Sequence, residues 1–115
     1  MLPDDRANAY DIVRFERRAV ALTSGVTYEQ FARDEVLRLA IERLIQIVGE
    51  AAWRLSREFK DSHPTIPWHK VEAQRHRLVH DYGRILPDLI WDVATVHANV
   101  LADYLEPLLP KPPDA

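Results

Sequence analysis

The sequence has 115 residues, of which 15 are Lys or Arg and 18 are Asp or Glu, giving a formal net charge of −3. This length fits one domain, and a content of 47% hydrophobic and 29% charged residues excludes a disordered chain or a fibrous repeat. The absence of cysteine excludes disulfides, thiolate zinc sites and a cysteine nucleophile. We expect neither a membrane span nor a signal peptide, and the mild acidity argues against nucleic-acid binding.

The first predicted helix covers about residues 4 to 23. Apolar side chains recur there at steps of three and four residues, as on the buried face of an amphipathic helix. These side chains are Ala9, Ile12, Phe15, Ala19 and Leu22. Gly25 then ends the helix as a C-terminal glycine.

A second, long helix is predicted from Thr27 to about Phe59. Thr27 and Gln30 have the spacing of a capping box, which marks a helix start. One apolar face continues from there, formed by Leu37, Ile41, Leu44, Val48, Ala51 and Leu55. Gly49 lies inside this helix, and we expect it to allow a close approach of another helix, because a mid-helix glycine costs about 1 kcal/mol relative to alanine.

Two prolines introduce the remaining helices. Pro67 suits the first turn of a third helix, which we expect to end near Tyr82, before Gly83. Pro87 opens a fourth helix in the same way. Its apolar side chains are Leu89, Ile90, Val93, Val96, Val100, Leu101 and Tyr104. The sequence therefore predicts an all-α, antiparallel bundle of four to five helices, with one domain over residues 1–109 and a loose, Pro-rich tail over 110–115.

Arg75 is out of place on the third helix. On a helical wheel it falls in the middle of the apolar face, within about 60° of five apolar or aromatic side chains. These are Trp68, Val71, Leu78, Val79 and Tyr82. Because an unpaired buried guanidinium is costly, Arg75 is either a structural arginine that pairs or reaches the surface, or part of a functional site.

Histidines cluster around this arginine. His69, His76 and His80 form a stripe about 100–140° around the wheel from Arg75. The stripe could chelate zinc, but it lacks the H-E-x-x-H pattern and an obvious third ligand, so a solvated polar edge is the better structural alternative. Residues 69–84 carry four basic and two acidic residues, a local charge of +2 that leaves −5 for the rest of the chain. An imidazole beside fixed guanidinium groups is what metal-free phosphodiester cleavage requires.

The segment Arg75–Tyr82 reads R-x4-H-x-Y with a polar residue after the arginine, and this motif resembles the HEPN superfamily, specifically its HepT-like ribonuclease toxins. The resemblance covers roughly residues 4 to 106. Flanking pieces agree in order: V-G-E-A-A at 48–52, P-x-I-P-W at 64–68, and Trp91. The motif with its flanks is fairly specific, whereas R-x4-H alone would be weak.

That resemblance implies a dimeric HEPN-type helical bundle that cleaves RNA without a metal or other cofactor and leaves a 2′,3′-cyclic phosphate. His80 would be the acid/base residue, Arg75 would stabilise the phosphate, and His76 would assist. Tyr82 matches the tyrosine to which a nucleotidyltransferase antitoxin of the MntA type adds AMP, which silences the toxin. The implied protein is the toxin of a type VII-like pair in a prokaryotic cytoplasm, with RNA as substrate and no membrane partner. His76 stands where the family often has Asn, which could alter the pH profile of cleavage.

Arg75 and His80 lie about 140° apart on a regular helix and cannot easily converge there. Either the helix loosens near Gly83, or the catalytic set forms across a two-fold axis between protomers. The second helix offers a pairing face opposite its apolar stripe. That face holds Gln46, Glu50, Trp53 and Arg57. Two points stay open: a loop or the tail could cover Trp53, and Glu50 is either a solvated charge or a partner for Arg75.

Two other functions compete with the ribonuclease. A non-catalytic helical module could bind a nucleotidyltransferase and only accept AMP on Tyr82. A small bundle could instead use the histidine stripe to bind a metal or ligand. The overall charge does not decide against RNA, because it averages a basic segment with an acidic remainder, and a dimer would bring two basic segments together.

Overall fold

The computed structural model describes residues 1–76 and 87–110, and within these ranges it contains helices and turns but no strand. The all-α prediction is therefore confirmed for this part of the chain. Predictions that concern His80, Tyr82 and Gly83, or the tail beyond Pro110, lie outside the described residues. In the described part, no helix is both long enough and apolar enough to cross a membrane.

Helix α1 runs from Pro3 to Thr23, close to the predicted bounds. Proline needs no amide partner in a first turn, and the acidic side chains of Asp4 and Asp5 favour the positive end of the helix dipole. Gly25 follows with φ of 75°, the left-handed conformation in which glycine commonly ends helices.

The predicted long second helix is wrong as a single element. The structure has three helices there: α2 over Tyr28–Arg33, α3 over Glu35–Arg54 and α4 over Arg57–Ser62. The capping box of Thr27 and Gln30 is confirmed at the start of α2. The two breaks have the same cause, because Asp34 and Ser56 adopt extended backbone and their side chains accept hydrogen bonds from amides three residues ahead.

The third helix, α5, covers Trp68–Ala73 and begins one residue after Pro67. It ends well before the predicted position near Tyr82. Beyond it the amides of Gln74, Arg75 and His76 donate to carbonyls three residues back, at 3.1, 3.2 and 3.3 Å. Arg75 therefore lies on a tight turn and not within a regular α-helix.

The described residues resume at Pro87, where the fourth helix was predicted. Helix α6 covers Pro87–Asp92, a π-helical turn covers Val93–His97, helix α7 covers Ala98–Leu105, and a 3₁₀ turn covers Glu106–Leu108. The π-helical turn was not predicted. Because it holds an extra residue per hydrogen-bonded ring, it changes which side chains face inward. Val96 and Val100, which were expected on the apolar face, are 54% and 62% exposed.

The core forms where α1 lies against α3 and α7, with α5 packed on α3. One cluster of buried side chains joins α1, α3, α5 and α7 and includes Ile12, Val48, Val71 and Leu101. A second cluster joins α2, α3 and the start of the last stretch and includes Phe31, Ile45 and Ile90. The predicted apolar faces of α1 and α3 are thus mostly confirmed, although Leu22 is 44% exposed.

Candidate functional site

Arg75 extends its side chain across α3 to the face of Trp53. Its guanidinium carbon lies 4.5 Å from the centroid of the Trp53 ring, which is the geometry of a cation–π contact. The Arg75 Nε atom is buried and has no hydrogen-bond partner among the described residues. The ring therefore compensates part of the cost of holding this guanidinium against the protein.

Gly49 allows the turn that carries Arg75 to lie directly on α3. A Cβ atom at position 49 would be 2.5 Å from the Arg75 backbone nitrogen and 3.0 Å from both the Gln74 carbonyl carbon and the Val71 oxygen. Because these backbone atoms occupy the space that a Cβ atom would need, no side chain fits at position 49. The predicted close approach at Gly49 is confirmed, and its partner is the turn at the end of α5.

A cavity of about 400 Å³ opens beside this contact, between α1, α3 and the Arg75 turn. Most of its lining is polar or charged. The lining residues are Asp11, Arg43, Gln46, Ile47, Glu50, Ala51, Arg54 and Arg75. Three guanidinium groups and two carboxylates thus line the same cavity. The guanidinium groups can bind a phosphate, and the carboxylates restrict the orientation in which it binds.

Glu50 belongs to this cavity but pairs with Arg54. The distance from Arg54 Nη2 to Glu50 Oε1 is 3.3 Å, one helical turn along α3. Both side chains are well exposed, so the pair contributes little to stability. Glu50 is therefore neither a fully solvated charge nor a partner of Arg75. Within the described ranges, no carboxylate lies within 4.0 Å of the Arg75 guanidinium.

Sequence reasoning missed Arg43, Arg54 and Asp11 as neighbours of Arg75. A signal was available for two of them, because Arg43 and Arg54 continue the polar stripe through Gln46 and Glu50 at helical spacing. Asp11 belongs to α1, and only the packing of α1 on α3 brings it to the cavity. The stripe also ends earlier than expected, because the break after Arg54 removes Arg57 from this face.

The structure separates the histidines that it describes. His76 follows Arg75 on the turn and is exposed, whereas His69 lines another cavity, of about 760 Å³, with Arg57, Lys60 and Lys70. Among the described residues, no group of three metal-ligating side chains lies close enough to hold an ion. His80 and Tyr82, the other residues of the motif, fall outside the described ranges.

The family model described as "HepT-like: Ribonuclease HepT-like" matches residues 12–108, which is most of the chain. The chain belongs to the HepT-like ribonuclease family. The matched range runs from α1 to the final 3₁₀ turn, so it includes both sides of the Arg75 contact and the whole R-x4-H-x-Y motif of this HepT-like protein.

Several relatives of this HepT-like chain are also named as ribonucleases. It is 31% identical over 90 residues to "Putative RNase MJ0127" of Methanocaldococcus jannaschii, covering 78% of this chain and 74% of that protein. It is 31% identical over 87 residues to "Putative RNase TTE0752" of Caldanaerobacter subterraneus subsp. tengcongensis, covering 76% and 78%. It is 28% identical over 88 residues to "Probable ribonuclease HepT" of Thermococcus cleftensis, covering 76% and 74%. No solved structure matches the chain.

Proposed function

We propose that this HepT-like chain is an endoribonuclease that cleaves RNA without a metal ion. In the proposed reaction the 2′-oxygen forms a bond to the adjacent phosphorus while the bond to the 5′-oxygen breaks, leaving a 2′,3′-cyclic phosphate. His80 takes the proton from the 2′-hydroxyl or gives one to the leaving oxygen, and His76 assists this transfer. Family membership and the names of the relatives support a ribonuclease.

The observation that carries the proposal is the placement of Arg75. Its guanidinium rests on Trp53 and borders a cavity with Arg43 and Arg54, and it has no ion-pair partner among the described residues. An arginine held in this way keeps its donors for a ligand oxygen. A phosphate that gains charge in the transition state would bind more tightly there than in the ground state, which is the condition for catalysis.

A cleavage assay in EDTA tests this proposal. Purified protein should cleave RNA to products that end in cyclic phosphate, and His80→Ala and Arg75→Ala should each lower the rate at least about a hundredfold, as expected for loss of an acid/base or an electrostatic group. Arg33→Ala is the matched control, because Arg33 is exposed at the end of α2 and lines none of the cavities described here. Cleavage by His80→Ala at the rate of the unaltered protein would refute the mechanism.

We also propose that the chain is the toxin of a type VII-like toxin–antitoxin pair, and that it acts as a homodimer. Two protomers would supply Arg75 and His80 to one shared cleft, as expected for a site on the two-fold axis of a dimer. A nucleotidyltransferase antitoxin would add AMP to Tyr82, where a bulky anion beside His80 would block and repel RNA.

Co-expression with such a nucleotidyltransferase, followed by intact-mass analysis, tests the regulation. The expected result is a mass increase of one or more AMP groups that is absent from Tyr82→Phe, together with loss of cleavage. An AMP adduct on a chain that never cleaves RNA would instead favour the non-catalytic module. Light scattering on the same samples measures whether the protein is a dimer.

A further inference from the structure

Glu16 is a buried carboxyl group in the middle of α1, away from the cavity that Arg75 borders. Glu16 is 2% exposed, and its Oε1 atom has no hydrogen-bond partner among the described residues. Burial raises the pKa of Glu16 to about 8, since a charged carboxylate is disfavoured where water cannot reach it. At neutral pH the side chain is therefore mainly a neutral carboxylic acid.

Glu16 lines a further cavity, of about 440 Å³, between α1, α5 and the last helical stretch. This volume is within the range of small-molecule sites in proteins. Most of the wall is apolar and consists of Ile66, Pro67, Val71, Ala73, Leu89, Val93 and Leu101. Besides Glu16, the polar residues of the lining in the described part of the chain are Lys70, Gln74 and His97.

The π-helical turn Val93–His97 forms one side of this cavity. Its first and last residues, Val93 and His97, both line the space, and the Ala98 amide donates to the Val93 carbonyl across the widened turn. Single π-helical turns inside α-helices are frequent at functional sites. The irregular backbone and Glu16 thus line the same cavity.

A neutral carboxyl group has a definite recognition chemistry. It presents one O–H donor beside one carbonyl acceptor, so it complements a planar group that carries an acceptor next to a donor. The hydrogen-bonding edges of nucleobases have this pattern; adenine, for example, presents an amino donor beside a ring nitrogen acceptor. Apolar walls suit the faces of such a ring, and a buried polar group without a partner favours a ligand that satisfies it.

We propose that the Glu16 cavity binds a nucleobase, with the Glu16 carboxyl group on the hydrogen-bonding edge of the base. The inference rests on the proposed function, because it makes the base part of the RNA substrate. Gln74 lines the Glu16 cavity, and the next residue in the chain, Arg75, lines the cavity of about 400 Å³ that it shares with Arg43 and Arg54. The same backbone turn therefore places Gln74 at the proposed base site and Arg75 at the proposed phosphate site.

Isothermal titration calorimetry with nucleosides tests this site without any cleavage step. Adenosine should bind the unaltered protein, whereas purine riboside, which lacks only the amino donor, should bind at least about tenfold more weakly because one buried group loses its partner. Glu16→Gln should keep the affinity for adenosine within about threefold, since an amide also presents a donor beside an acceptor. Glu16→Leu should lose at least about tenfold.

The comparison of adenosine with purine riboside uses only the unaltered protein, so it remains informative even if a variant misfolds. Equal affinity for adenosine and purine riboside, or equal binding of ribose 5-phosphate, would overturn the proposal, as would the absence of adenosine binding. A protein that cleaves RNA but binds no nucleoside refutes this site only. A protein that binds adenosine through Glu16 but cleaves no RNA refutes the proposed ribonuclease and leaves the base site in place.

Discussion

The guanidinium carbon of Arg75 lies 4.5 Å from the centroid of the Trp53 ring, although 22 residues separate the two in the chain. The contact explains two unusual features together: an arginine whose Nε atom is buried and a tryptophan on the polar face of α3. Trp53 remains 50% exposed, so Arg75 covers one side of the ring and leaves the rest accessible. The remaining surface suits a second protomer, as in the proposed dimer, because an exposed aromatic side chain beside arginines is common in protein interfaces.

Replacing Trp53 should impair catalysis more than stability. Trp53→Leu removes the platform under Arg75, and because a cation–π contact contributes about 0.5–2 kcal/mol, we expect RNA cleavage to slow by roughly threefold to thirtyfold. Trp53→Phe should retain part of the rate, since a smaller ring still presents its face. The control is Val36→Ala, a 79% exposed position on α3, which should leave the rate unchanged. Full activity of Trp53→Leu, measured at equal dimer content, would contradict the role of the ring.

Gly49→Ala should damage both the fold and the site. Alanine favours a helix by about 1 kcal/mol, but its Cβ atom would meet the Arg75 backbone nitrogen at 2.5 Å, so the turn must move away from α3. We expect a net loss of about 1–3 kcal/mol in the free energy of unfolding, measured with denaturant, and a large loss of cleavage.

Gly25→Ala is the matched comparison for this glycine. Gly25 has φ of 75° and open space around its Cα, so alanine there meets backbone strain but no neighbour. We expect it to cost about 1–2 kcal/mol of stability without changing the cleavage rate of the folded protein. If both substitutions lowered stability equally and neither changed cleavage, the close approach at Gly49 would have no connection to catalysis.

Because of Glu16, the free energy of unfolding should depend on pH in a range higher than that in which carboxyl groups usually titrate. Its folded-state pKa of about 8 exceeds the ordinary value of 4.5, so folding favours the neutral form. The stability of the unaltered protein, relative to Glu16→Gln, should be highest below pH 4.5 and fall as the pH rises, until it levels above pH 8. The change is at most about 5 kcal/mol. Urea titrations at pH 5 and 9 measure it, and parallel curves for the two proteins would rule out the raised pKa.

Asp5 should stabilise the junction between α3 and α4 from a distance in the chain. Its carboxylate accepts hydrogen bonds from the Ser56 amide and hydroxyl, at 2.8 and 2.6 Å, and the Ser56 hydroxyl itself caps α4. Because hydrogen bonds to a charged group contribute about 1.5–3 kcal/mol, Asp5→Ala should lower the free energy of unfolding by about that amount. Asp4→Ala, at the exposed neighbouring position, should change it by less than about 0.5 kcal/mol. Similar losses for the two variants would exclude this contact as the cause.

The helix break after Arg54 shows what the spacing of apolar residues can predict and what it cannot. The apolar spacing from Leu37 to Leu55 predicts the buried face of α3 correctly, because burial of one face fixes a period of 3.6 residues. The same spacing continues past Ser56 and gives no sign of the break. Ser56 caps α4 through the Phe59 amide, and Asp5, 51 residues away in the chain, holds Ser56 in that position by accepting from its amide and hydroxyl. A contact over that separation leaves no periodic signal in the sequence.

By itself the sequence determined the helical class, the capping box at Thr27 and the motif that indicates the family, because each depends on residues within a few turns of one another. Only the tertiary structure decided that Arg75 rests on Trp53, and that Glu16 is buried beside a cavity with no hydrogen-bond partner for its Oε1 atom among the described residues. Those outcomes depend on how α1, α3 and α5 pack, and packing is set by the summed burial of many side chains from distant segments.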